Sequence, residues 1–179
     1  MKRSALFVTL SLCAGLVPLA AQETEAGIQA LAVFPQDDLR AAVGGRTGFD
    51  VGVHSSIDLT GGSELRPRID YTRIDGGSFS LSSLSSTTTI SGIGVGADFL
   101  QFLNDQRRGP YVTGGLDLVW WTTQYRFSSS QREISPTLML GAGHRFNSAI
   151  SMEFNLDLGH FRPAVGQAAD IRAGLFYQF

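Results

Sequence analysis

Apolar and polar residues alternate at every second position through most of the chain beyond residue 21. The clearest run puts Ile150, Met152, Phe154, Leu156 and Leu158 on one side and polar residues or glycine on the other. Successive side chains of a β-strand point to opposite faces, so this period predicts strands with one apolar face. Because the same pattern recurs near both ends of the chain, we predict an all-β fold.

The alternation and the turn residues between its runs predict eight strands. They cover residues 26–35, 47–59, 64–75, 87–102, 109–127, 134–146, 149–162 and 168–179. One set of connections is tight, whereas the other set, 36–46, 76–86, 128–133 and 163–167, is mostly longer and more polar. Short turns at one end and longer loops at the other are typical of outer-membrane barrels. The sequence therefore predicts an eight-stranded antiparallel up-and-down transmembrane β-barrel.

Two of the predicted loops have a character of their own. In the first loop we expect a helical turn around residues 37–40. The second loop contains the Ser/Thr-rich run 78–89, which is typical of a flexible surface segment.

Residues 1–21 have the pattern of a secretory signal peptide. Lys2 and Arg3 precede an apolar run, and we expect cleavage after Ala21, which leaves one domain over 22–179. The apolar run is shorter than the ~20 residues that a membrane-spanning helix needs. The single cysteine, Cys13, lies inside this segment, so disulfides and thiol chemistry are excluded from the mature domain.

The mature domain is acidic once Lys2 and Arg3 are removed, which argues against a nucleic-acid partner. The chain also has no metal-ligand spacing and no Gly-rich phosphate loop, so neither a metal nor another cofactor is expected. The alternating glycines Gly92, Gly94 and Gly96 are interpreted as inward-facing residues that relieve crowding in a narrow lumen.

Alternation alone fits two kinds of barrel: a membrane barrel with its apolar face outside, and a soluble lipocalin-like barrel with that face inside. The polar face carries charges at Asp50, Asp58, Arg66, Arg68, Asp70, Asp98, Asp117, Arg145, Glu153, Asp157, Asp170 and Arg172. The tight turns place Asp58 opposite Arg66, Arg145 diagonal to Glu153, and Arg172 across from Asp157 or nearby. A narrow barrel with enclosed charges needs such compensation, because an unpaired buried charge costs several kcal/mol.

Aromatic residues lie towards the strand ends of the apolar face, as in membrane-interface girdles. They are Phe34, Phe49, Tyr71, Phe99, Trp120, Phe146, Tyr177 and Phe179. Together with the charge pattern they favour the membrane barrel, and the soluble ligand-binding barrel remains the alternative.

The last strand carries a stripe of outward residues, Ile171, Ala173, Leu175, Tyr177 and the final Phe179. This stripe resembles the C-terminal sorting signature of bacterial outer-membrane proteins, which the barrel-assembly machinery reads in that family. In length, strand rhythm and loop alternation the mature chain resembles the small eight-stranded barrels of the OmpA/OmpX membrane-domain type. The resemblance implies a place in the bacterial outer membrane in contact with its lipids, and we expect a monomer.

Some eight-stranded outer-membrane barrels act on lipid A, a reaction for which a Ser, His and carboxylate arrangement would be the expected catalytic group. His54 and Ser56 share the inner face, where an acyl chain does not easily reach. His144 and His160 lack the His-x-Ser pattern of the deacylases. Because eight strands enclose little more than their own side chains, a filled, non-conducting lumen is expected. We predict a non-enzymatic protein with a structural or surface-interaction role through its loops, and a lipid A-modifying enzyme is the alternative.

Overall fold

A computed structural model describes residues 24–81, 84–104, 106–125, 130–161 and 166–179. Eight strands and one helix follow one another as β1 (Thr24–Gln36), α1 (Asp37–Ala42), β2 (Gly48–Asp58), β3 (Ser63–Leu81), β4 (Leu84–Phe102), β5 (Gly109–Tyr125), β6 (Gln131–Arg145), β7 (Ile150–Phe161) and β8 (Gly166–Gln178). Each strand pairs antiparallel with its neighbours in sequence, and β8 pairs with β1 to close the barrel. The predicted fold class is confirmed. The predicted signal segment 1–21 lies outside the described residues.

The apolar face of the strands points outward. Val53, Ile69 and Leu116 are 55%, 53% and 67% exposed, whereas the charged residues between them in the pattern are enclosed. In water such a surface would be far more apolar than a soluble monomer tolerates. The lipocalin-like alternative, which needs the apolar face inside, is therefore wrong.

The turn between β2 and β3 fixes a register that differs from the expected one. Gly61 and Gly62 both adopt a left-handed backbone, with φ of 69° each, a conformation that suits glycine. The resulting pairing places Asp58 opposite Glu64, so Asp58 does not face Arg66 as expected.

Strands β3 and β4 extend well beyond their predicted ends. Pairing continues past an irregularity between Asp75 and Ser78 as far as Leu81 opposite Leu84, so most of the predicted loop 76–86 is a hairpin. Residues 76–86 consist of serine, glycine, leucine and phenylalanine, and their many serines and glycines are typical of a loop, although Phe79 and Leu81 alternate with serines as in a strand. Likewise β6 begins at Gln131 inside the predicted loop 128–133, and β8 begins at Gly166 inside 163–167.

The helix α1 occupies the first loop, where a helical turn was predicted. Asp37 and Asp38 lie in its first turn and Arg40 in its last, an order that suits the helix dipole. Leu39 is its buried residue, and the helix contacts β1 and β8. Among the residues that the structure describes, no helix is both long and apolar enough to cross a membrane.

Candidate functional site

The interior of the barrel is the region where the sequence placed most of its candidate residues. The turn side is the end of the barrel with the short turns between strands, and the loop side is the opposite end. From the loop side inward, the interior has an apolar layer, a charged middle and a second apolar layer. Each layer is built from inward residues of several strands.

The loop-side cap is an apolar cluster at the loop-side end of the interior. It contains Val33, Leu39, Val43, Ile74, Ile90, Val119 and Trp121, all at most 5% exposed. Five of them come from the loop-side parts of strands, and Leu39 and Val43 come from the first loop. The first loop thus contributes apolar side chains to the loop-side cap.

A smaller apolar layer, the turn-side layer, lies at the opposite end. Leu100, Phe102 and Tyr111 form it, and the Phe102 and Tyr111 rings lie 4.9 Å apart. The guanidinium of Arg145 lies over the Phe102 ring at 4.7 Å, which adds a cation–π contact to this layer.

The turn-side ion-pair cluster lies next to this layer. It consists of Glu64, Arg66, Asp98, Arg145 and Glu153, each within four residues of the turn-side end of its strand. Arg66, 1% exposed, binds Glu153 through two nitrogens and Asp98 through Nη2 at 3.0 Å. Arg145 binds Glu64 at 2.9 Å.

Neutral groups complete the coordination of Glu153. The Tyr111 hydroxyl donates to its Oε1 at 2.6 Å, and the Asn155 amide donates to its Oε2 at 3.2 Å. Phe176 lies under the Arg66 guanidinium, 4.1 Å from ring centre to carbon. Charge-assisted bonds of this kind in a dry interior are strong and geometrically demanding, so this part of the lumen is rigidly specified.

The loop-side acid cluster lies between the turn-side cluster and the cap. Its carboxylates are Asp50, Asp70, Asp117, Asp157 and Asp170, each seven or eight residues from the turn-side end of its strand. All are at most 5% exposed. Two guanidiniums, those of Arg68 and Arg172, lie among them.

Each of these two arginines contacts three carboxylates. Arg172 binds Asp50 at 3.1 Å, Asp157 at 3.0 Å and Asp170 at 2.8 Å. Arg68 binds Asp117, lies 3.3 Å from Asp70 and reaches Asp98 at 3.2 Å. Asp98 is shared with Arg66, so Arg68 joins the two clusters.

The inward glycines make room for these carboxylates. A Cβ at Gly94 would collide with the Asp70 carboxylate, and one at Gly96 with the Asp117 carboxylate. A Cβ at Gly92 would meet the Trp121 ring in the loop-side cap. The sequence predicts that these three glycines face inward and relieve crowding. In the structure each of them lies against a larger side chain of an adjacent strand.

Eleven of the twelve charged residues named from the sequence are enclosed, and Asp58 is the exception. Its side chain is 41% exposed and binds Arg107 in the turn between β4 and β5. The expected diagonal position of Arg145 beside Glu153 is present in the register, but the partner of Arg145 is Glu64. The sequence reading missed Glu64, although it shares the odd-even phase of Arg66.

The two histidines whose side chains the structure describes, His54 and His144, each pack against a phenylalanine ring. His54 is 5% exposed and stacks against Phe176 at 5.5 Å, and its Nδ1 has no hydrogen-bond partner among the described residues. His144 lies on the outer face against Phe146 at 4.9 Å. The side chain of His160 is outside the described part of the structure. Within the described ranges, no group of three or more His, Cys, Asp or Glu side chains is arranged to hold a metal ion.

On the outer surface, aromatic residues lie towards both ends of the apolar band. Phe49 and Tyr71 pack together on the loop side, and Tyr177 and Phe179 pack edge to face on the turn side. The predicted sorting stripe of β8 faces outward, where Ile171, Leu175, Tyr177 and Phe179 are 42–72% exposed, with Ala173 between them.

A closed eight-stranded barrel with an apolar outer band and a charged, side-chain-filled interior defines the class of small outer-membrane β-barrels. The resemblance inferred from the sequence is confirmed at the level of this fold. Comparison with known proteins gives the same class through structure alone.

Ail, the attachment invasion locus protein of Yersinia pestis, is similar with a TM-score of 0.58 and 13% identity, over 88% of this chain and 99% of Ail. Neisserial surface protein A is similar with a TM-score of 0.56 and 17% identity, over 87% of this chain and 97% of that protein. Ail in a phospholipid bilayer nanodisc gives a TM-score of 0.53. No family model and no curated protein sequence matches the chain.

Proposed function

We propose that this chain is an integral protein of the bacterial outer membrane with a filled, non-conducting lumen and a non-enzymatic role at the cell surface. Its loop side faces the outside and carries the structural or surface contacts. These contacts are made by the predicted segments 36–46, 76–86, 128–133 and 163–167. Parts of the last three segments belong to the ends of β3, β4, β6 and β8.

The observation that carries the proposal is the layered interior. A hydrated ion entering from the loop side meets the apolar cap, then two interlocked charge clusters, and then the turn-side layer. An eight-stranded barrel leaves space for little beyond its own side chains. Arg66 and Phe176 stack at 4.1 Å across the middle, which favours a plug over a channel.

The surface role is supported by the asymmetry of the two ends. Strands β3 and β4 reach nineteen residues each and pair almost to the tip of their hairpin, so they extend the sheet far beyond the cap. The turn side has only short connections. The names of the similar proteins, attachment invasion locus protein and surface protein A, refer to roles at the cell surface.

Export and assembly complete the proposal. Residues 1–21 direct the chain across the inner membrane and are removed. The outward stripe of β8 then serves as the sorting signature that the barrel-assembly machinery reads. The mature protein contacts outer-membrane lipids through its apolar band and functions as a monomer without a cofactor or a nucleic-acid partner.

Location and orientation are tested together by cell fractionation and tag accessibility. The protein should partition with outer membranes and migrate differently on gels before and after boiling. An epitope tag between Leu81 and Leu84 should bind antibody on intact cells. A matched tag in the turn at Gly61 should bind only after permeabilisation. Recovery as a soluble periplasmic protein, or the opposite tag pattern, would contradict the proposal.

A lipid A-modifying activity is tested separately. Lipid A from cells with and without the protein should have the same mass spectrum. A change in its acyl chains that is lost with His144→Ala would overturn the non-enzymatic assignment.

A further inference from the structure

The enclosed charges of the lumen are not balanced. Eight carboxylates among the described inward residues face four guanidiniums. The difference is concentrated in the loop-side acid cluster, where five carboxylates surround Arg68 and Arg172. Enclosed charges without compensation cost several kcal/mol each, so the excess negative charge of this cluster favours the binding of a cation or of protons.

Unpartnered oxygen atoms mark where positive charge is missing. Asp117 Oδ1 and Asp157 Oδ1 accept no hydrogen bond from any described residue. The same holds for two neutral amide oxygens, Gln29 Oε1 and Asn155 Oδ1, whose side chains are both 3% exposed. The amide group of Gln29 lies beside Asp50, to which its Nε2 donates at 3.2 Å. All four atoms are acceptors.

The backbone register brings Asp117 and Asp157 to the same region. They flank β6 on its two sides, with Asp117 opposite Thr137 and Asp157 opposite Met139. The Arg68 guanidinium spans this region, because its Nη2 binds Asp117 and lies 3.6 Å from Met139 Sδ. Both carboxylates therefore converge beside one guanidinium, under the loop-side cap.

We propose that the loop-side acid cluster binds a partly hydrated divalent cation of the Mg²⁺ type through Asp117, Asp157 or both. Mg²⁺ keeps several of its waters and binds through only one or two carboxylates, a mode that needs no group of three acidic ligands. Its waters supply the hydrogen-bond donors that the amide oxygens of Gln29 and Asn155 lack. The ion enters before the cap closes over the cluster.

The binding is tested on the purified full chain, refolded from urea into non-ionic detergent. One sample contains MgCl2 and the other choline chloride at the same ionic strength, since choline is too large for the cluster. Unfolding by urea, followed by tryptophan fluorescence, should have a higher midpoint in MgCl2. Magnesium should remain with the folded protein in stoichiometric amount after desalting.

The variant Asp117→Asn with Asp157→Asn removes the site while keeping the size and hydrogen-bonding capacity of both side chains. It should lose the difference between the two salts, retain no magnesium, and unfold in choline chloride at a midpoint at or above that of the wild type. Asp75→Asn, at an exposed carboxylate paired with Arg73, serves as the matched control and should keep the full Mg²⁺ response.

Equal midpoints in the two salts for the wild type would overturn the proposal, and so would a Mg²⁺ response that persists in the double variant. A lower pH that replaces the effect of Mg²⁺ completely would show that protons supply the missing charge, which also overturns it. These measurements concern the isolated barrel, so their failure leaves the proposed surface role intact.

Discussion

The turn-side and loop-side halves of the lumen both pair carboxylates with arginines, but the ratio of carboxylates to arginines differs between them. On the turn side, three carboxylates share Arg66 and Arg145, and Glu153 is satisfied by Arg66, Tyr111 and Asn155 together. On the loop side, five carboxylates share two guanidiniums, and Asp117 Oδ1 and Asp157 Oδ1 accept no hydrogen bond from the described residues. A filled barrel can therefore hold one tightly matched cluster and one acid-rich cluster within the same set of strands.

The comparison suggests a division of labour. The matched turn-side cluster fixes the cross-section, since Arg66 joins β3 to the neighbouring β4 through Asp98 and, across the lumen, to β7 through Glu153. The acid-rich cluster lies beneath an apolar cap, and its excess negative charge favours the binding of a cation or of protons. Buried ion pairs contribute more to specifying one arrangement than to net stability, and breaking them is costly.

The largest effect is expected from Arg66→Met. Removal of this guanidinium leaves Asp98 and Glu153 enclosed without their main partner, which should lower the free energy of unfolding by about 3–5 kcal/mol. Urea unfolding of the folded barrel measures it. Arg73→Met, on the exposed surface, should keep the wild-type midpoint. A loss of less than about 1 kcal/mol for Arg66→Met would contradict the matched character of the turn-side cluster.

The loop-side cap is tested by Leu39→Ala. Leu39 is 1% exposed, and its truncation should cost about 2–3 kcal/mol, the lower part of the usual range because a short helix can settle over the gap. Arg40→Ala on the exposed side of the same helix is the control. Equal unfolding curves for the two variants would show that Leu39 contributes no packing energy to the loop-side cap.

A pair of near-isosteric changes compares the two halves directly. Glu153→Gln weakens bonds to Arg66 and Tyr111 and should cost about 1–3 kcal/mol. Asp157→Asn, measured in choline chloride, removes a charge from the acid-rich half and should leave the unfolding midpoint unchanged or raise it. If both substitutions destabilise the barrel equally, the two halves do not differ in charge balance.

The smallest effect is expected from Asp58→Asn. Its ion pair with Arg107 is partly exposed, and such pairs contribute less than about 1 kcal/mol. The midpoint of urea unfolding should hardly move. A loss as large as that of Arg66→Met would place Asp58 in the enclosed network after all.

The sequence predicted the barrel because period-two alternation is a local property of each strand. It determined which side chains share a face, so the inward positions of Met139 and Phe176 also follow from it. It could not determine partners across the lumen. Arg66 and Glu153 are eighty-seven residues apart, and their contact depends on the cross-section of the closed barrel rather than on any hairpin.

Errors in the sequence reading arise at strand ends. Asp58 and Glu64 flank a turn, and a small change in the register of that turn decides whether Asp58 lies opposite Glu64 or opposite Arg66. Counting from Arg66 in steps of two would have found Glu64. The hairpin of β3 and β4 is predicted as loop 76–86 because serine and glycine dominate its composition, whereas the alternation of Phe79 and Leu81 with serines is a strand pattern.

The proposed non-conducting lumen is tested most directly by electrical recording across a planar lipid bilayer. The purified, folded protein should insert without producing stable unitary currents at moderate voltage in KCl. Leu39→Ala should also remain silent, because the turn-side cluster and Phe102 still block the path. A reproducible unitary conductance of the wild-type barrel, abolished by unfolding, would show that ions pass and would contradict a filled, structural interior.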